Sequence, residues 1–440
     1  MTARDPAKIF ERLRETHSQL ETGILPESPE SSWSPARFTD LDGHERIRLA
    51  KDAARSLGVP SPFFRSIEET AGTEVRIAGR TVTNFASYDY LSINQSDGLA
   101  TAVHEAAIRW GVSATASRLV GGEHLYHRDL EQALADFLGT EDAVTFVSGY
   151  LTNCSAIQTL VGQGDLVLVD ARAHNSIYEG IRISGAAHLS FPHNDWDWVD
   201  RHLAANRGLF RHVLIAIEGL YSMDGDLPDL HRFVEIKDRY GAWLLVDEAH
   251  SLGVLGKTGR GICEQQRVPP DKIDVRMGTL SKTLCSCGGF LAGTRELGEL
   301  LRYTAPGFIY SVGLPATGAA AASHALKVLI REPERVERLR ELCEFFKGLA
   351  GQLGLDTGES AAFAVQPILI GDSLRATSIS NMLLAEGFNV LPIIAPAVPN
   401  RNARLRFFLT AAHTEDMLRD VLMATATLLN RSTRSFQAIG

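Results

Sequence analysis

The 440-residue sequence predicts an α/β protein, with one large, mainly parallel sheet domain followed by a smaller C-terminal α+β domain. Three observations predict it. Short runs of β-branched residues and leucine, without polar alternation, recur as strands covered on both faces require. Amphipathic helical stretches lie between those runs. After about Arg331 the character changes to a charged helix and then to widely separated strands.

The first sixty residues read as a charged, irregular extension, with Pro26–Pro35 as a linker. Residues 61–330 then form the large domain. A short strand at Glu74–Ile77 turns at Gly79-Arg80 into a second at Thr81–Phe85. Buried parallel strands are expected at Val144–Val147, Leu166–Val169, Val213–Ile217 and Leu244–Val246. Helices fit His127–Leu138, where Leu130, Leu134, Phe137 and Leu138 share a face, and Leu230–Tyr240, which Gly241 stops. The Ala-rich Pro315–Ile330 stretch, broken by His324 and Lys327, reads as a buried helix and not a membrane span. Residues 331–440 form the small domain. Its charged run, Arg331–Lys347, reads as a solvated helical face, strands follow near Val365–Ile370 and Leu405–Leu409, and a last helix begins after Thr414.

Bulk properties narrow the function. A formal net charge of −9 argues against a polyanion-binding surface and so against a nucleic-acid partner. An N-terminus without an apolar core and five scattered cysteines suit reduced thiols in a cytoplasm.

The chemistry concentrates at three strand ends. The strand Trp243–Val246 runs into Asp247-Glu-Ala-His250, where a buried carboxylate needs a cation or proton donor. A protonated pyridine nitrogen is such a partner, and the pairing makes the ring an electron sink. In Val275-Arg-Met-Gly-Thr279-Leu-Ser281-Lys282, one lysine stands among hydroxyl residues just before Cys285-Ser-Cys-Gly-Gly289, which suits an imine-forming amine beside a phosphate site. In Phe146-Val-Ser148-Gly149-Tyr150 a strand turns through glycine into a helix whose N-terminus suits phosphate.

The bland readings are weaker. Asp247-Glu-Ala-His250 also spells a helicase ATPase motif, but Gly256-Lys257-Thr258 follows it instead of preceding it, and Ser251 stands where a phosphate loop needs glycine. Cys285 and Cys287 lack a second ligand pair, so they read as small core residues and no metal site is expected.

Taken together, Ser113-Ala-Thr-Ala-Ser117-Arg118-Leu, Gly149-Tyr-Leu-Thr-Asn153, Glu218-Gly-Leu-Tyr-Ser222-Met-Asp-Gly225, Asp247-Glu-Ala-His250 and Gly278-Thr-Leu-Ser-Lys282 resemble the α-oxoamine synthases. These are fold type I transferases dependent on pyridoxal 5'-phosphate (PLP). The resemblance runs from about Asn84 to His413 in the family's order. It implies Lys282 as the Schiff-base lysine and general base, Asp247 on the pyridine nitrogen, His250 on the ring oxygen and His174 stacked on the ring. Ser222 and Thr279 would lie near the ring oxygen and phosphate, and Gly149 and Tyr150 would offer backbone N–H groups to the phosphate. Ser311 resembles a phosphate contact from the partner subunit, so a homodimer with shared active sites is implied. Arg406 matches the clamp on the amino-acid carboxylate, with Arg404, on the same strand face, as the alternative.

The implied reaction is decarboxylative condensation of an α-amino acid with an acyl thioester to an α-amino ketone. An aminotransferase of the same fold is the alternative, and a non-catalytic subunit a third reading that Lys282 argues against. Tyr88, where many relatives have Asn, looks more like the serine palmitoyltransferases. Ser113–Arg118 resembles members of polyketide and lipid pathways, whose acyl donor rides on a carrier protein. Glycine, alanine and serine stay open, with serine favoured by the resemblance, as does the choice between CoA and an acyl carrier protein. The role of the N-terminal extension stays open too.

Overall fold

Three antiparallel strands, β1 (Ile67–Ala71), β2 (Glu74–Ile77) and β3 (Arg80–Asn84), precede the central sheet in the computed structural model, which describes residues 36–399 and 401–437. The central sheet has seven strands: β4 (Asp142–Phe146), β5 (Leu166–Asp170), β6 (Ala187–Phe191), β7 (Val213–Glu218), β8 (Trp243–Asp247), β9 (Val275–Thr279) and β10 (Gly289–Gly293). Their spatial order is β4-β10-β9-β8-β7-β5-β6. From β9 to β6 every pairing is parallel, and only β10 runs against its neighbours β4 and β9.

Alternate residues of these strands feed two separate cores. Leu166, Leu168, Ile215, Ile217, Leu244 and Val246 face one, while Val167, Val169, Leu214, Ala216 and Leu245 face the other. Both faces of β5, β7 and β8 are therefore dry, which is why these strands are apolar up to the acid that ends each. Each fully buried Leu or Ile there contributes roughly 1.5–3 kcal/mol. The helices that cover the sheet include Leu125–Leu138, Gly149–Leu160 and Leu230–Tyr240, and Ala316–Arg331 packs on the first of them with Ala319, Ala322, Ala325, Leu326 and Leu329 buried.

The C-terminal part contributes β11 (Val365–Gly371), β12 (Phe388–Asn389), β13 (Leu391–Ile393) and β14 (Ala403–Phe408), then the helix Glu415–Gln437. β11, β14 and β13 form one antiparallel sheet, whereas β12 pairs in parallel with β3. Residues 61–84 thus share a sheet with the C-terminal segment. The charged run after Arg331 is amphipathic: the helix Glu334–Gln352 buries Val336, Leu339, Leu342, Cys343 and Phe346 and leaves its charged residues outward.

The described residues from 36 to 60 belong to a unit of their own. The predicted linker at Pro26–Pro35 lies outside the described residues. The expectation of irregular structure is overturned at Asp42–Ser56, an α-helix with no buried residue. Local terms account for it: Asp42 and Glu45 in its first turn and Arg55 in its last complement the helix dipole, and Arg48 pairs with Asp52 one turn on. The strands β6 and β10 also escape the sequence pattern. Four of the five residues of β6 are exposed at the sheet edge, and β10 begins and ends in glycine. Among the described residues no helix is long and apolar enough to cross a membrane.

Candidate active site

The parallel register aligns the carboxyl ends of the central strands, where ligands bind in open α/β sheets. Glu218 at the end of β7 stands opposite Asp247 at the end of β8, and Asp247 opposite Met277 of β9. Two residues past Met277, Thr279 ends its strand and leads to Lys282. A cavity of about 230 Å³ opens there. Its walls carry Asp247, His250, His174, Lys282, Thr279, Gly149 and Tyr150, which the sequence assigned to one site from segments more than 100 positions apart.

Asp247 is buried and held by neutral donors. Its Oδ2 accepts Asn153 Nδ2–H at 2.7 Å, and its Oδ1 accepts the Ala249 N–H at 2.9 Å. The second Asn153 Nδ2 proton goes to Ser176 Oγ at 2.9 Å, and Ser176 Oγ lies 2.7 Å from His174 Nδ1. The Ser176 N–H also points to that nitrogen, at 3.3 Å, because His174 caps the helix Asn175–Ser184. Nδ1 is thus the acceptor, and this network puts the His174 proton on Nε2. One chain of hydrogen bonds orients both the carboxylate and the ring.

His250 bonds Tyr90 Oη through Nδ1 at 2.6 Å. Burial raises the Tyr90 pKa well above the usual phenol value, so Tyr90 keeps its proton and donates. Burial, reinforced by the Lys282 and Arg406 charges, holds His250 well below the usual imidazole range. His250 is therefore neutral, with its proton on Nε2. Burial likewise lowers His174, with Asp247 opposing and Lys282 adding to the effect.

Lys282 sits on the cavity wall with no ion pair within 4 Å among the described residues, its Nζ 5.7 Å from the centre of the Tyr88 ring. Burial pushes its ammonium down to about 8, although the negative charges of Asp247 and Glu218 oppose this. A substantial fraction of free amine is present near neutrality, as a nucleophilic or basic lysine requires. Beside it, Thr279 Oγ1 lies 2.7 Å from Ser281 Oγ and donates to Gly288 O at 3.1 Å. Backbones close in tightly at this point. A Cβ on Gly149 would stand 2.9 Å from Thr279 Oγ1, and one on Gly289 would stand 2.5 Å from Thr152 Oγ1. Only glycine allows the start of the helix Gly149–Leu160 to approach β9 and β10 so closely.

Arg406 and Arg404 share a face of β14 but differ in their partners. Arg404 Nη1 is paired with the Asp224 carboxylate, and its neighbour Asp224 also takes Arg172 at 3.0 Å. Arg406 meets no carboxylate among the described residues. Its Nη1 donates to Ser222 O at 2.8 Å, and its Nε is buried without a partner. Ser222 is buried next to the cavity but does not line it, and Ser311 lies outside it, between the exposed Tyr310 and Val312. The expectation that Cys285 and Cys287 are both core residues is corrected for Cys287, which is exposed on the cavity wall, because the turn through Gly288 swings it outward. Cys285 is half-buried, with its thiol 3.5 Å from Asp89.

Sequence reasoning gave no role to Asn153, Ser176, Tyr90 or Glu218. Asn153 and Glu218 stand inside the quoted segments, so the signal was present without a geometry to interpret it.

Comparison with known proteins agrees with this geometry. Residues 80–424 match the family described as aminotransferase class I and II. An 8-amino-7-oxononanoate synthase from Geobacter sulfurreducens is 41% identical over 372 residues, covering 83% of this chain and 94% of that protein. One from Symbiobacterium thermophilum is 40% identical over 350 residues, covering 80% and 89%. Among solved structures, a serine palmitoyltransferase from Sphingomonas wittichii superposes with a TM-score of 0.85 at 28% identity, over 91% of this chain and 100% of that one. A second, from S. paucimobilis with a bound PLP–myriocin aldimine, gives 0.84 at 30% identity, over 90% and 98%.

The fold and site define a fold type I PLP transferase, and the chain belongs to the α-oxoamine synthases within the aminotransferase class I and II family. It is a PLP-dependent acyltransferase, condensing an α-amino acid with an acyl thioester, with loss of carbon dioxide, to an α-amino ketone. The residues fit the cofactor. Asn153 Oδ1 and Glu218 Oε1 are buried on the cavity wall without partners among the described residues, and the buried Asp247 carboxyl forms no ion pair within 4 Å among them. A protonated heterocycle answers that carboxyl.

Proposed function

We propose that Lys282 holds PLP covalently and, once the amino acid has displaced it, removes the α-proton. Asp247 bonds the pyridine nitrogen, His250 donates Nε2–H to the ring oxygen, and His174 stacks on the ring. Ser222 and Thr279 complete the ring-oxygen and phosphate contacts, with the first N–H groups of the helix at Gly149 and Tyr150. Bound PLP supplies an electron sink for the charge left when the α-proton departs. The amine lowered to about 8 carries the reading, because it is poised both to condense with an aldehyde and to take a proton near neutral pH.

Arg406 is the clamp on the amino-acid carboxylate, since it alone of the two arginines lacks a carboxylate of its own. Ser311 serves the partner's site in a homodimer, and the exposed Tyr310 and Val312 beside it suit a covered face. The acyl donor is a CoA or carrier-protein thioester, and the amino acid is a small one, alanine, glycine or serine. Similarity to oxononanoate and serine palmitoyl enzymes alike supports a small amino acid. The enzyme works in the cytoplasm, which suits its five free cysteines.

The test is direct. Protein loaded with PLP is titrated with glycine, alanine and serine, and changes in visible absorption identify the amino acid. Acyl-CoA and acyl-carrier thioesters are then added, and released thiol and carbon dioxide are measured. Equal amounts of both support the reading. Amino transfer without either would establish the aminotransferase alternative.

A further inference from the structure

Glu218 is a buried acid that the roles above leave unused. It ends β7 directly opposite Asp247, forms part of the cavity wall and is only 3% exposed. Its Oε2 accepts the Ser222 N–H at 3.3 Å, and its Oε1 has no partner. The same Ser222 offers its carbonyl to Arg406 Nη1 at 2.8 Å. One side chain therefore touches both the cavity and the turn on which the carboxylate clamp rests.

We propose that Glu218 is a positioning residue of this site, a carboxylic acid that presents Oε1 to the occupant of the cavity as a hydrogen-bond donor while Oε2 holds the turn beneath Arg406. The inference rests on the functional reading above.

Two adjacent buried carboxylates do not both ionise without a cation between them. Asp247 takes two hydrogen bonds from neutral donors, which favour its anion, whereas Glu218 takes one long bond. The proton accordingly resides on Glu218. Burial and the Asp247 charge both push its pKa well above the usual carboxylate value, against the opposing charge of Lys282. With Oε2 committed as an acceptor, the acid proton belongs on Oε1, the atom without a partner. An ionised Glu218 would instead place a second negative charge beside Asp247.

The test has two arms. In the protein without cofactor, infrared difference spectra between wild type and E218Q at pH 8 report whether Glu218 is protonated. The carbonyl band of a neutral carboxylic acid, lost in E218Q, is expected, and its absence would overturn the proposal. In PLP-loaded protein, E218Q keeps a neutral donor, so the pH midpoint of the cofactor's visible absorption should stay within about 0.3 unit of wild type. The amino-acid KM of E218Q should stay within roughly threefold. E218A, checked for folding by thermal unfolding, should raise that KM roughly tenfold, as loss of a buried hydrogen bond does. An E218A enzyme identical to wild type, or an E218Q enzyme displaced as far as E218A, counts against it. A wild-type protein that takes up no PLP would sink the functional reading while the infrared arm still decides the state of Glu218.

Discussion

Asp247 and Glu248 are consecutive buried carboxylates at the carboxyl end of β8, and their surroundings differ in kind. Glu248 closes a complete network. Its Oε1 takes Arg276 Nε at 2.9 Å and Nη2 at 2.5 Å, and its Oε2 takes the Ser251 hydroxyl and the Ile262 N–H, each at 2.8 Å. Arg276 also donates to the carbonyls of Leu138 at 2.9 Å and Arg260 at 2.8 Å. Asp247 takes its hydrogen bonds from neutral donors, and Lys282, which feels its charge, has no ion pair within 4 Å among the described residues. A buried pair that neutralises itself is architecture. A buried charge without an answering cation marks a place built for a ligand. The contrast also disposes of the ATPase resemblance of this segment, because Glu248 is locked away from any nucleotide or metal.

The largest expected effect breaks the open side. Lys282→Ala removes the proposed anchor and base, so the condensation rate should fall by at least ~10⁴ while the thermal midpoint holds. Thiol release and a melting curve on the same sample check this. Next come the two neighbours. Asp247→Asn should cost about 10²–10⁴ in turnover with the fold intact, since in the proposed arrangement the ring nitrogen loses its counter-charge. Glu248→Gln should do the opposite. It strands the Arg276 charge and should cost about 3–5 kcal/mol of stability, with turnover per folded molecule unchanged. Urea unfolding alongside kinetics separates them, and equal effects in both variants would erase the distinction.

The same contrast explains what could be read from the sequence. Covered strands betray themselves by unbroken apolar runs, so β5, β7 and β8 were legible to within a residue or so at each end. The edge strand β6 and the glycine-bounded β10 carry no such signature. The groups that share the cavity wall were legible because a lysine, an aspartate and two histidines stand in motifs of a fixed order along the chain. Their supports were not. Asn153, Ser176 and Tyr90 act through hydrogen bonds between segments far apart in sequence, and nothing about an isolated Asn or Tyr says which carboxylate or imidazole it will meet. Glu218 looked like an ordinary strand terminus until the register set it against Asp247. The proposal of Arg406 over Arg404 as the clamp draws on Asp224, some 180 positions away.

That choice sharpens the comparison at a smaller scale, because the two arginines repeat it on one strand. Arg406→Ala should raise the amino-acid KM about 10- to 100-fold, through the lost charge-assisted bond to the substrate, with a lesser effect on kcat. Arg404→Ala instead leaves Asp224 to Arg172 alone and should lower stability with little change in KM. Saturation kinetics and unfolding curves on both variants read this out. An Arg404 variant with the higher KM would reassign the clamp.

The smallest effect concerns a third buried cluster, where carboxylates at the sheet's edge already have a resident cation. His193 lies between Asp170 Oδ1, at 2.8 Å, and Asp226 Oδ2, at 2.7 Å, with the Tyr221 ring edge-on at 4.5 Å and Asn194 bonded to both acids. Burial alone would lower its pKa, but the two carboxylates outweigh burial and raise it to about 9. A group raised above its unfolded value stabilises fully below that value, near 6.5, and loses the contribution as pH rises through about 9. Wild type should therefore lose about 1–3 °C of thermal midpoint between pH 6.5 and 9.5 that His193→Gln does not lose. The loss is modest because the neutral ring still donates one of its two bonds. Parallel slopes for the two proteins would mean that His193 is already neutral at the lower pH, and that Asp170 and Asp226, like Asp247, lack a cation of their own.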